Sequence, residues 1–213
     1  ITMTNIKILQ TPEFMEKPIP TECVPKRFAI ATNILLCAEI DENKKGFMVF
    51  NYEPEKWNQW YPYFFSVNDM YSFKGVTYGD IVGNFQKNIM QRADVQTRIK
   101  KAERAFLDLL GISDGHVILD DSPVVPEMWL KYSKTQNMWT FYYMEFLQVK
   151  SLSKCNLKLL DSSVVDLIPL LDDTLDDVLK TGQYRGINVV DNTLDIIKNK
   201  AILDKLIQGA IEI

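Results

Sequence analysis

The apolar positions of the chain change period several times, and each change marks an element. Residues 27–40 (RFAIATNILLCAEI) are rich in apolar and β-branched side chains, which predicts one long strand. The polar run Asp41, Glu42, Asn43, Lys44, Lys45, Gly46 supplies a turn, and residues 47–52 return as the second strand of an antiparallel hairpin. In the aromatic stretch that follows, Trp57, Gln59, Tyr61, Tyr63 and Phe65 share one face if the backbone is extended, with Tyr61-Pro62 at a strand edge or bulge. The period then turns helical. Val95, Ile99, Ala102, Phe106 and Leu109 recur at steps of four, three, four and three, one apolar stripe with Asp94 placed as N-cap and Gly111 as the C′ residue. A shorter helix over residues 80–90 precedes it, although Gly83 lies inside. Strands are expected at 116–119 and 139–149, separated by a loop holding Pro123 and Pro126. Val164, Leu167, Ile168, Leu171, Leu175, Val178 and Leu179 read as a helical stripe kinked by Pro169, and a last amphipathic helix covers 193–208.

Ahead of these elements, Pro12, Pro18, Pro20 and Pro25 stand among charged residues, a pattern that predicts an extended arm over residues 1–25. The order of elements predicts an α+β fold, a mixed β-sheet sandwiched between helices with a helical C-terminal extension. The expected organisation is an α+β domain over residues 26–160 and C-terminal helices over 161–213 packed on the same domain. Internal repeats and low-complexity linkers are absent from the sequence.

Composition narrows the chemistry. The 213 residues include one histidine, His116, and three cysteines, Cys23, Cys37 and Cys155, without CxxC or HxxxH spacing. A structural zinc site needs four such ligands and a catalytic one usually three, so zinc chemistry is not expected. An odd number of scattered cysteines argues against a disulfide framework and for a reducing compartment. The 24 Lys and Arg against 28 Asp and Glu give a formal charge of -4, no global basic footprint, so bulk nucleic acid is not an expected partner. No apolar run reaches the roughly 18 residues that a membrane helix needs, and residues 1–10 lack a secretory pattern, so the expected compartment is cytoplasmic with no membrane partner. GxSxG, Walker A and GxGxxG patterns are missing as well.

One segment carries a family likeness. Lys101, Ala102, Glu103, Arg104, Ala105, Phe106, Leu107, Asp108, Leu109, Leu110, Gly111 and Ile112 form a stretch that resembles the helical end of a Nudix box. Arg104 falls on the family's arginine, Phe106 on its apolar position, Asp108 on the first of its paired glutamates, and Gly111 and Ile112 on its closing pair. The resemblance implies a Nudix-like domain and a pocket for a nucleoside diphosphate derivative. It also implies magnesium held by a carboxylate cluster that neutralises the pyrophosphate. The departures from the pattern bear on activity. Ala105 and Leu109 stand where the family has glutamates, Gln96 takes another glutamate position, and Met90 occupies the place of the opening glycine. Of the acidic set only Asp108 and Glu103 remain, and at 100° per residue they leave the helix on different faces. Lys100, Lys101 and Arg104 make that helix face basic, and Arg104 and Asp108, four apart, can pair with each other.

The expectation is therefore a degenerate Nudix-like protein, without canonical hydrolysis and without a resident cofactor, that binds a nucleotide-related small molecule or a protein partner. Its expected ligand-binding residues are Arg104, Lys101, Trp57, Trp60 and Tyr61, the aromatic rings serving as stacking surfaces. The alternative is a divergent magnesium-dependent hydrolase using Asp108 and Glu103, with Glu127, Asp120 or Asp121 as further ligands. A third reading is an unrelated interaction module. Asp172, Asp173, Asp176 and Asp177 read as a solvated acidic face, and His116 as a strand-edge residue that could serve as a general base.

Overall fold

A computed structural model describes residues 4–41, 44–109, 118–119, 123–149 and 164–208. The fold is α+β, as the order of elements predicted, and the chain divides into two compact units. The first comprises Ile1–Thr32, Phe65–Ala105 and Pro126–Glu145; the second comprises Asn33–Phe64, Phe106–Val125 and Phe146–Ile213. His116, Asp120, Asp121, Gly111, Ile112 and Cys155 lie outside the described residues.

The single long strand expected over residues 27–40 is two strands, β2 (Arg27–Leu35) and β3 (Cys37–Asp41). They part at Leu36, whose carbonyl accepts from the backbone N–H of Met48 at 2.9 Å. The expected hairpin forms between β3 and β4 (Lys44–Phe50), antiparallel, with an irregularity between Glu39 and Asp41.

In the first unit the proline-rich N-terminal stretch is structured rather than extended throughout. A short strand β1 (Ile6–Ile8) pairs antiparallel with β8 (Glu127–Ser133). A one-turn helix α1 (Pro12–Met15) follows, capped by the Thr11 hydroxyl, with proline at the position where its missing N–H costs nothing. Strand β8 begins directly after Pro126, in a stretch that reads as loop because of its prolines. Buried Met128 and Leu130 alternate there with half-buried Trp129 and Lys131, the period of a strand. β8 pairs with β9 (Met138–Val149), and the largest sheet has the order β1-β8-β9-β2-β6, with β6 covering Tyr63–Met70 and β7 (Ile118–Leu119) pairing β9.

Helix α2 (Tyr78–Asn84) starts at a reciprocal capping box between Thr77 and Asp80 and runs into a wider π-turn segment, Phe85–Ile89. The predicted long helix is α3 (Ala93–Leu109), with Val95, Ile99 and Phe106 buried and Ala102 half-buried. Asp94 sits in its first turn, bound by Arg92 through two hydrogen bonds at 3.0 and 2.7 Å. Ile81, Val82, Phe85, Ile89, Val95 and Ile99 pack on Phe28, Ile30, Met128, Leu130 and Phe141 of the sheet to form the core of this unit. Truncating a fully buried ring there, such as Phe85, costs about 3–5 kcal/mol.

In the second unit, the stretch read as a helix from Val164 to Leu179 is partly a strand. β10 (Val165–Pro169) pairs antiparallel with β4, and helix α4 (Asp172–Thr181) begins only afterwards. A short apolar run does not distinguish strand from helix by period, and here the cross-strand partner decides. Gly182, in the left-handed region at φ 69°, ends α4 by donating to the Val178 carbonyl at 2.8 Å. β11 (Gln183–Tyr184) and β12 (Ile187–Val189) form a tight hairpin through Arg185 and Gly186, both at positive φ, and β12 runs parallel to β5 (Gln59–Trp60). The last predicted helix is two, α5 (Asp191–Lys198) and α6 (Lys200–Gln208), separated at Asn199. Among the described residues no helix is long and apolar enough to cross a membrane.

Candidate anion-binding cleft

Three arginines of the first unit converge on two residues near the end of β6. Arg27, the first residue of β2, donates from Nη1 to Gln136 Oε1 and from Nη2 to Asn68 Oδ1, both at 2.5 Å. Arg98 on α3 donates to the backbone carbonyl of Asn68 at 3.3 Å. Arg92 lies 3.7 Å from the carboxylate of Asp69 and 2.7 Å from that of Asp94.

The charges around this point do not cancel. Asp69 and Asp94 are both engaged by Arg92, and the Asp94 carboxyl is held below its ordinary range chiefly by the hydrogen bond from that guanidinium. Arg27 is oriented by two neutral amide oxygens and has no carboxylate partner among the described residues. Its fork is thus fixed in direction while its charge stays unneutralised, the arrangement that suits recognition of a phosphate or carboxylate. Arg27, Asn68, Asp69, Met70, Gln136 and Met138 line an open cleft of about 420 Å³. Met70 is 61% exposed, so the polar floor has a thioether wall that can pack against a flat or irregular apolar group.

The expected site residues distribute between the two units. In the first, Lys101 and Arg104 are exposed on α3. Glu103 is half-buried and its charge acts on Glu145 of β9. Glu145 takes a hydrogen bond from the buried Thr32 hydroxyl at 3.5 Å. Burial first, and the neighbouring Glu103 charge last, push the Glu145 carboxyl above its ordinary range, while the Thr32 bond acts in the opposite direction. Glu127 accepts from Lys7 at 3.3 Å and from Trp129 Nε1 at 3.1 Å, so both its oxygens are engaged.

In the second unit Asp108 is exposed on α3. Trp57 is 56% exposed, with the Lys56 ammonium 5.1 Å from its ring centroid. Trp60 is a core residue whose indole N–H donates to the Tyr184 carbonyl at 2.9 Å. Tyr61 is half-buried in an aromatic cluster with Tyr52 and Phe64, its hydroxyl donating to Gln59 at 3.0 Å. Asp172, Asp173, Asp176 and Asp177 are exposed on α4. Among the described residues no group of three or more His, Cys, Asp or Glu side chains could hold a metal ion.

The sequence pattern passes over Arg27, Asn68 and Gln136 because they lie far apart in the chain and only the pairing of strands joins them. A weak signal exists for Glu145 and Lys131, each an ionisable residue inside an apolar, aromatic strand. Comparison with known proteins gives no match: no family model, no curated protein and no solved structure corresponds to this chain.

Proposed function

We propose that the chain binds a small, anionic, nucleotide-related molecule in the cleft at Arg27 and does not turn it over by the Nudix route. What supports this reading is the Arg27 guanidinium, aimed by Asn68 and Gln136 and without a carboxylate partner among the described residues. A phosphate would accept its remaining donors, and Met70 and Met138 would flank the less polar part of the ligand. The resemblance of residues 101–112 to a Nudix box supports the nucleotide class, and the replacement of its glutamates by Ala105, Leu109 and Gln96 supports binding over hydrolysis.

A divergent metal-dependent hydrolase is the second reading, favoured by the action of the Glu103 charge on the half-buried Glu145 carboxyl. The two separate in one pair of assays. Thermal stabilisation by nucleoside diphosphate derivatives, without turnover in magnesium, is the outcome expected here, because a ligand bound only by the folded state raises the melting temperature. Magnesium-dependent turnover that disappears in Glu145→Gln or Glu103→Gln would establish the second reading instead.

A further inference from the structure

The cleft is one end of a longer surface within the first unit. Side chains alternate along β9, so Met138, Thr140 and Tyr142 share a face, opposite the one that Phe141 turns to the core. Lys7, Trp129 and Tyr142 are directly paired across β1, β8 and β9 and therefore form a row on that same face. Lys131, two residues along β8 from Trp129, pairs with Thr140 and stands between the row and the cleft. Its ammonium lies 4.9 Å from the Tyr142 ring centroid and 5.5 Å from that of Trp129. From Met138 to Tyr142 the surface extends about 14 Å at ~3.4 Å per residue. That is longer than a mononucleotide needs.

Charge along this surface is unbalanced in one direction. Lys7 is paired with Glu127 at 3.3 Å, whereas Lys131 and Arg27 have no carboxylate within salt-bridge distance among the described residues. Burial pulls the Lys131 ammonium below the usual lysine range, with the Glu127 charge only partly offsetting it. A half-buried cation of this kind gains from an incoming anion. The imbalance holds for the whole unit. Its 13 Lys and Arg outnumber its 9 Asp and Glu, a formal excess of four positive charges, while the second unit has 11 against 19. The net charge of -4 for the entire chain conceals a basic unit and an acidic one.

We propose that this face binds a short stretch of single-stranded nucleic acid, with bases stacked on Trp129 and Tyr142 and phosphates reaching Lys7, Lys131 and Arg27. The proposal rests on the nucleotide reading of the Arg27 cleft and extends it from one nucleotide to several. Adjacent aromatic rings with interleaved cations are what a sequence-tolerant single-strand site needs, because every base has a face to stack and every linkage a negative charge. The lysine ammoniums over the two rings move onto phosphates when bases take the ring faces.

The test is fluorescence anisotropy of the full chain with labelled oligothymidylates and oligouridylates of three, six and twelve nucleotides, at two salt concentrations. The same cuvette titrations include unlabelled AMP and poly-glutamate as competitors. Expected are affinity that rises with length from three to six nucleotides, and weakening by about fivefold or more in Trp129→Ala with recovery in Trp129→Phe. The double variant Lys7→Gln with Lys131→Gln should lower the slope of log affinity against log salt by about 1.4, two single-strand phosphate contacts. Binding of AMP with oligomers no tighter than AMP overturns the proposal and leaves the cleft reading intact, whereas silence of both ligands overturns the two together. Equal competition by poly-glutamate, unaffected in Trp129→Ala, would mean an acidic polypeptide surface and also overturns it.

Discussion

The guanidinium of Arg27 is held by the side-chain oxygen of Asn68 at 2.5 Å, a bond that fixes the arginine without cancelling its charge. Asn68→Asp keeps the acceptor geometry and adds the missing negative charge. We expect nucleotide affinity to fall about tenfold or more, the equivalent of ~1.4 kcal/mol, while the melting temperature stays the same or rises. Calorimetric titration beside a thermal melt reads both. An affinity that survives Asn68→Asp unchanged would place the ligand elsewhere.

Glu145 supplies a prediction about pH. Burial first, and the Glu103 charge in addition, raise its carboxyl above the ordinary glutamate range. A group with a raised folded-state value contributes stability below its unfolded value, and that contribution is lost as pH climbs through the folded one. Above its folded-state value the ionised Glu145 is therefore a liability, and there Glu145→Gln should be more stable than the parent. The advantage should shrink as pH falls toward ~4.3, the unfolded glutamate value. Denaturant midpoints measured at several pH values test this; a constant difference across that range would remove Glu145 as the titrating group.

Two tryptophans of the same aromatic stretch should behave oppositely. Trp60→Phe removes the indole N–H that the Tyr184 carbonyl accepts in the core and should cost about 0.5–1.5 kcal/mol, the net worth of one buried hydrogen bond. Trp57→Ala, at a site 56% exposed, should fall within about ±0.5 kcal/mol. Urea unfolding of the two variants decides; equal losses would mean that Trp57 is covered by something in solution.

The helix from Ala93 to Leu109 was legible in the sequence because its stripe Val95, Ile99, Phe106 keeps one helical period and all three side chains are buried. The β3–β4 hairpin was legible for a similar reason, a turn-rich run between two apolar stretches. β10 was not. Its five residues satisfy a helical stripe as readily as a strand, and only β4, more than a hundred positions earlier, settles the matter. β8 was concealed by Pro126 at its threshold. The cleft was illegible on principle, since Arg27, Asn68 and Gln136 come from three segments whose juxtaposition is a property of strand order. The charge excess of the first unit was hidden too, because that unit is assembled from three separate lengths of chain.

Local capping offers an independent check on the first unit. The Thr77 hydroxyl accepts from the Asp80 N–H at 3.1 Å, and the Asp80 carboxylate accepts in return from the N–H groups of Thr77 and Val76, both at 3.1 Å. Those two backbone bonds, the Thr77 one first, hold the Asp80 carboxyl below its usual range. Thr77→Ala should cost about 0.5–2 kcal/mol, and Thr77→Ser should restore most of it. A melt of the three proteins is sufficient, and an unchanged Thr77→Ala midpoint would show that α2 does not depend on its cap.

The central proposal for this chain is that Arg27 reads a phosphate. Isothermal titration of the full chain with AMP and with adenosine, repeated on Arg27→Lys, addresses that directly. AMP should bind at least about tenfold more tightly than adenosine, and the difference should collapse in Arg27→Lys, because a lysine cannot reproduce the planar fork held by Asn68 and Gln136. Equal affinity for AMP and adenosine, or a preference for AMP that persists in Arg27→Lys, would contradict it.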